Sequence, residues 1–113
     1  MTAFASGPGW TLLRGDCRDI LPDIHPGTVA LAFADPPYWL SAGGTTCRSG
    51  QRAAVDKGEW DRPRGILEEY AFARHWSGLV AQLLTSEGTL WVSGTRHGIF
   101  GVGFALQATG MGQ

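Results

Sequence analysis

Val29-Ala30-Leu31-Ala32-Phe33-Ala34-Asp35-Pro36-Pro37-Tyr38 is the stretch that decides the fold. Its first six residues are apolar without alternation, the pattern of a parallel strand buried on both faces. Asp35 ends the run, and two prolines forbid both a continuing strand and an immediate helix. A carboxylate and an aromatic ring are thereby held close together at the carboxyl end of a buried strand. Open α/β sheets bind their ligands at that edge. Taken alone, the four letters Asp-Pro-Pro-Tyr also describe a plain strand-ending turn.

Outward from this strand the chain alternates in the manner of a βαβ protein. Residues 10–14 read as a short strand ended by Gly15, after a flexible start over residues 1–9. Asp16 suits the cap of a short helix running through Leu21 and stopped by Pro22. Residues 39–66 are rich in Gly, Ser and Arg and show no periodicity. A structureless stretch of that length in a compact domain is usually functional or disordered, and here a mobile loop over the site is expected. Residues 67–84 form the strongest helix, with Phe72, Trp76, Leu79, Val80 and Leu83 on one face and Gly88 just past the end. Residues 89–93 are a second strand, completing a β-α-β unit. A second helix is expected over 97–107, each of its glycines weakening it by about 1 kcal/mol relative to alanine. The fold class is α/β, with a mostly parallel sheet.

At 113 residues the chain is one domain at most, and 43% hydrophobic content with five tryptophans is enough for a core. A net charge of −1 argues against a basic module that coats nucleic acid. Residues 43–66 nevertheless hold five basic and three acidic side chains, against two and four in residues 1–42. A phosphate-facing loop beside a cofactor-facing strand gives this distribution, and so does an ordinary solvated loop. Cys17 and Cys47 lack metal-ligand spacing, and the three histidines are scattered, so no metal site is read. There is neither a signal-peptide pattern nor an apolar run of membrane-spanning length. A cytoplasmic location is expected.

The chemistry that the Asp-Pro-Pro-Tyr turn suits is methyl transfer to an exocyclic amine of a base. Such an amine is a poor nucleophile, because its lone pair is delocalised into the ring. Two acceptors, the Asp35 carboxylate and the Pro36 carbonyl, would localise that pair and aim it. Pro36 has no N–H to compete and a fixed φ. Tyr38 suits stacking on a base swung out of the duplex. Asp16 and Cys17, in Gly15-Asp16-Cys17, form a second candidate site, for which capping of the following helix is the simpler reading.

Several segments together resemble the amino-terminal catalytic part of permuted, beta-group DNA methyltransferases that modify adenine N6 or cytosine N4. They are Leu12-Leu13-Arg14-Gly15-Asp16-Cys17, Ala34-Asp35-Pro36-Pro37-Tyr38, Ser41-Ala42-Gly43-Gly44-Thr45-Thr46-Cys47, Asp56-Lys57-Gly58-Glu59-Trp60-Asp61 and Gly88-Thr89-Leu90-Trp91-Val92-Ser93-Gly94-Thr95. The resemblance implies a partial Rossmann-like fold that binds S-adenosyl-L-methionine. It makes Asp35, Pro36, Pro37 and Tyr38 catalytic and sets Asp16, Cys17 and Asp35 against the cofactor. It places Trp39, Arg48, Arg52 and Lys57 in a loop that contacts double-stranded DNA. Aspartate in the first motif position favours adenine N6. A cognate restriction endonuclease, a homodimer of the full-length protein and a bacterial or phage-infected cytoplasm follow from the same family pattern.

The target-recognition segment and the Phe-x-Gly-x-Gly cofactor loop of that family are not found in residues 1–113. Phe100-Gly101-Val102-Gly103 lacks a preceding apolar strand and belongs to the second helix instead. On this reading the sheet lacks strands between 10–14 and 29–34, and the isolated polypeptide is expected to be poorly stable and inactive. Two other functions stay open: amine methylation on RNA or a protein glutamine, and a non-catalytic truncated remnant.

Overall fold

The computed structural model describes residues 2–40, 45–48, 51–54 and 58–111, with side chains outside 45–54. Strand β1 (Ala5–Gly7) and strand β2 (Trp10–Leu12) precede helix α1 (Cys17–Ile20), which a 3-10 turn over Leu21–Asp23 continues. Strand β3 (Val29–Ala34) is followed by the short strands β4 (Thr45–Arg48) and β5 (Gln51–Ala54), and then by a 3-10 turn over Glu59–Asp61. Helix α2 (Ile66–Leu83), strand β6 (Leu84–Val92) and helix α3 (Ile99–Ala108) complete the chain.

The expected β-α-β unit is present: β3 and β6 pair in parallel, with α2 as the crossover. Ala32 faces Leu90, Phe33 faces Trp91 and Ala34 faces Val92. A bulge interrupts the ladder, since Val29 pairs with Leu84 while Leu31 pairs with Thr89. Gly88 lies in this bulge, where a Cβ would stand 3.0 Å from the Val29 carbonyl oxygen. It therefore serves close strand approach rather than the end of α2, which is capped at Leu84 in extended conformation.

One face of the pair is covered. Ala32, Ala34, Leu90 and Val92 pack against a cluster of Ala73, Trp76 and Val80 from α2 and Ala105 from α3. The buried stripe of α2 runs through Ala73, Trp76, Ser77, Val80 and Leu83, at the i, i+3, i+4, i+7 spacing of one helical face. It is turned slightly from the stripe read in the sequence, with Phe72 and Leu79 at its margins. Burial on both faces of β3 is not observed: Leu31 is 61% exposed, Phe33 71% and, on β6, Trp91 66%. An unbroken apolar run shows that a strand tolerates two covers, whereas the described residues supply one.

The first nine residues are not wholly flexible. Ala5–Gly7 pairs antiparallel with Trp10–Leu12. The connection Gly7-Pro8-Gly9-Trp10 has proline second and a glycine at φ +79° third, the signature of a type II turn. This hairpin forms its own sheet, separate from β3–β6, so Asp16 does not emerge from a strand of the sheet that carries Asp35. The loop after residue 38 is not structureless either, because β4 and β5 form an antiparallel hairpin.

Gly88→Ala is expected to destabilise the protein by roughly 1–3 kcal/mol through overpacking. The atoms nearest the new methyl include backbone of Val29 and Thr85, which cannot rotate aside. A thermal melt is the check, and an unchanged midpoint would contradict the packing described for the bulge.

Candidate active site

Two strands that run the same way end side by side. With Ala34 opposite Val92, the next residues, Asp35 and Ser93, are neighbours at the carboxyl edge. The Ser93 N–H donates to the Ala34 carbonyl at 3.0 Å, extending the ladder by one step. The Ser93 hydroxyl donates to Asp35 Oδ1 at 2.6 Å, and the Tyr38 hydroxyl donates to the same oxygen at 2.8 Å. Hydroxyl-to-carboxylate bonds of this length are charge-assisted and directional. The exposed carboxylate is thus held in one orientation by donors from two different elements. Tyr38, read in the sequence as a stacking ring, has its hydroxyl anchored on Asp35.

The far end of the turn is fixed from another direction. The backbone N–H groups of Tyr38 and Trp39 both donate to Asp61 Oδ1 at 2.9 Å. Trp39 has φ +60°, a left-handed conformation that costs roughly 1–2 kcal/mol for a residue with a Cβ. Its ring meets Phe72 edge-on, with centroids 5.5 Å apart, and the Arg64 guanidinium lies 6.0 Å from its centroid.

The turn separates two cavities. One, of about 530 Å³, is lined by Gly15, Cys17, Phe33, Asp35, Pro36 and Pro37 among others. The other, of about 360 Å³, is lined by Pro36, Tyr38, Trp39, Tyr70 and His97 among others. Asp16 and Cys17 line a third cavity of about 550 Å³ together with Arg18, Pro37, Trp60 and His75. Cys17, Pro37 and Phe72 are common to the first and third. The two candidate sites of the sequence are therefore brought around adjoining spaces, by α1 and its packing on α2 rather than by a shared sheet.

Asp16 caps α1 by accepting the Arg18 N–H at 2.9 Å. It also accepts Arg18 Nε at 3.0 Å and Nη2 at 2.6 Å. The Arg18 side chain, through these hydrogen bonds, holds the Asp16 carboxyl well below its usual range, at about 2. Burial pushes the Cys17 thiol up, so it stays protonated and acts as a small apolar wall. Arg18 in turn lies over the Phe72 ring, 5.3 Å from its centroid.

Of the residues expected to contact DNA, Trp39 is half-buried against α2. Arg48 ends β4 opposite Gln51, and Arg52 on β5 pairs with Cys47. Lys57 lies outside the described residues. Ser93 and Asp61 carry contacts that the sequence reading did not assign to them. Ser93 was within reach, since parallel strands that end together make the residue after each one a neighbour of the other. Asp61 had no such signal, because it meets the turn across more than 20 residues. No group of His, Cys, Asp and Glu among the described residues is arranged to hold a metal ion. No helix among them is long and apolar enough to cross a membrane.

This arrangement, a β-α-β unit whose first strand ends in an Asp-Pro-Pro-Tyr turn with its carboxylate oriented by flanking hydroxyls, sits within a recognised family. A DNA methylase family model matches residues 29–112, and the chain belongs to that family. It is 42% identical to the type II methyltransferase M2.LlaDCHI of Lactococcus lactis subsp. cremoris over 99 residues, 88% of this chain and 37% of the relative. It is 40% identical to the type II methyltransferase M2.DpnII of Streptococcus pneumoniae over 88% of this chain and 37% of that protein. With M2.MboI of Moraxella bovis the identity is 38%, over 87% and 36%. The chain thus spans little more than a third of the length of these relatives.

Because its folded-state value is depressed, Asp16 contributes stability above about pH 4 that is lost as pH falls toward 2. The contribution is small, since the Arg18 and Asp16 side chains are 44% and 38% exposed and the pair is screened. A carboxyl NMR titration should place Asp16 near 2, and Arg18→Met should return it toward 3.8. A midpoint near 3.8 in the unaltered protein would rule out the ion pair.

Proposed function

We propose that the protein of which this chain forms part transfers a methyl group from S-adenosyl-L-methionine to an exocyclic amine of a base in double-stranded DNA, most specifically adenine N6. The observation that carries the reading is the Asp35 carboxylate, held by Ser93 and Tyr38 in the wall of one cavity, while Pro36 and Pro37 next to it line both that cavity and the one beside Tyr38. In this assignment Asp35 and the Pro36 carbonyl accept the two N–H bonds of the target amine. Its lone pair then points along one line, which is the orientation that displacement at carbon requires. The Tyr38 side of the turn receives the flipped base. Its cavity of about 360 Å³ is walled largely by aromatic and apolar side chains, as stacking requires.

The residues present fit the cofactor. Its methyl group, bound to a sulfonium, supplies the electrophile. Gly15, Cys17 and Phe33 line the apolar part of the cavity that opens onto Asp35. A carboxylate has about four acceptor positions. Asp16 uses two on Oδ1 and one on Oδ2, leaving Oδ2 able to accept from an adenine 6-amino group without losing Arg18. The hairpin β4–β5, which carries Arg48 and Arg52, is a two-stranded ribbon of the kind a DNA major groove admits. We assign to it, with Lys57 and Trp39, contact with the duplex.

Transfer of a tritiated methyl group by the polypeptide of the whole reading frame tests this reading. Label should appear as N6-methyladenine in duplex DNA. Asp35→Ala should lower turnover by at least about 10²-fold, and Ser93→Ala by roughly tenfold, the worth of one oriented charge-assisted bond. Label in N4-methylcytosine would correct the target base. Label in RNA or protein but not DNA, or full turnover by Asp35→Ala with unaltered folding, would overturn the assignment.

A further inference from the structure

Among the described residues Asp61 is the one buried carboxylate, 1% exposed, and the chemistry proposed above makes no use of it. We infer that Asp61 is a positioning residue for methyl transfer, one that sets where the Tyr38 hydroxyl meets Asp35. The inference rests on the function proposed above.

The geometry is specific. Two successive backbone N–H groups, those of Tyr38 and Trp39, converge on one Asp61 oxygen at 2.9 Å each. Successive amides aimed at one point form an anion-binding concavity, and here the chain fills it with its own carboxylate. The bonds hold Trp39 at φ +60°, which a tryptophan does not adopt without such an anchor. From the same residue the Tyr38 hydroxyl reaches Oδ1 of Asp35, three residues upstream, at 2.8 Å. Asp61 therefore fixes the backbone of the residue whose side chain orients the reacting carboxylate.

Asp61 is itself delivered by a firm turn. Its N–H donates to the Gly58 carbonyl, and the Arg62 N–H donates to the Glu59 carbonyl, both at 3.2 Å. The Arg62 guanidinium holds Glu59 at 2.7 Å. Gly58 enters the turn at φ +128°, a conformation that L side chains rarely adopt. Asp61 does not belong to the hydrophobic cluster of Ala73, Trp76, Val80 and Ala105, nor does it line the cavity shared by Cys17 and Asp35. Loss of its carboxylate should displace Tyr38 relative to Asp35 while leaving cofactor binding in place.

The test compares wild type, Asp61→Ala and Asp61→Asn in the polypeptide of the whole reading frame. Three quantities are read: melting temperature, equilibrium binding of S-adenosylmethionine, and single-turnover methylation of duplex DNA. Misplacement of a reacting group by about 1 Å costs on the order of 10²-fold, and Asp61→Ala should lose about that much single-turnover rate with cofactor affinity unchanged. Asp61→Asn keeps an oxygen acceptor in the same place and should recover most of the loss. An active wild type with an equally fast Asp61→Ala overturns this inference alone. So does a loss in which cofactor affinity and melting fall together in both variants, or one that Asp61→Asn fails to relieve. A wild type that does not methylate DNA overturns the underlying functional reading as well.

Discussion

The bond between Ser93 and Asp35 is the contact on which the rest of the site depends. It joins the ends of two strands that meet only through the crossover of α2, so it exists only when the whole β-α-β unit is assembled. A carboxylate at a strand end would otherwise sample several rotamers in water. With two hydroxyls on one of its oxygens it presents a defined direction to the cavity it lines. Parallel pairing matters here for a geometric reason. Strands running the same way deliver their exit residues to one edge, whereas antiparallel neighbours deliver them to opposite edges.

The covered face of the sheet explains how helix and strands come close enough for this. Both inward residues at the end of β3 are alanines, and Leu90 and Val92 fill the space beside them. Trp76 and Phe72 of α2 then reach the cavity below the Asp-Pro-Pro-Tyr turn. Phe72 also touches Trp39 at its edge and lies under Arg18. One helix thereby supports the turn that holds Asp35 and the short helix that holds Asp16.

Much of this was legible in the residues. The apolar run with its Asp-Pro-Pro-Tyr ending located β3 and the turn, and the i, i+3, i+4 stripe located α2 within one residue at each end. Such features are local, so sequence shows them directly. What escaped was set by non-local geometry. The hairpin of β1 and β2 depends on a Pro-Gly turn in a stretch that looks merely loose. The exposure of Leu31 and Phe33 depends on which layers are present, not on hydrophobicity. Asp61 sits in a polar, glycine-containing segment where nothing nearby marks it as buried, and only the folded chain brings it under Tyr38 and Trp39. The Asp16 cap, by contrast, was the simpler reading of Gly15-Asp16-Cys17, and the structure contains it; its part in cofactor binding is a separate matter of spare acceptor capacity.

The irregularity in β6 has a consequence for what meets Asp35. If the pairing of Val29 with Leu84 continued without interruption, counting six residues along each strand would set Asp35 against Leu90. Ser93 would then overshoot by three residues, about 10 Å of extended chain. An odd shift would also turn the strand over, setting Glu87 and Thr89 opposite the inward Ala32 and Ala34 in place of Leu90 and Val92. The three surplus residues between these pairings thus set two things at once, the apolar side of β6 toward the helices and the Ser93 hydroxyl beside Asp35.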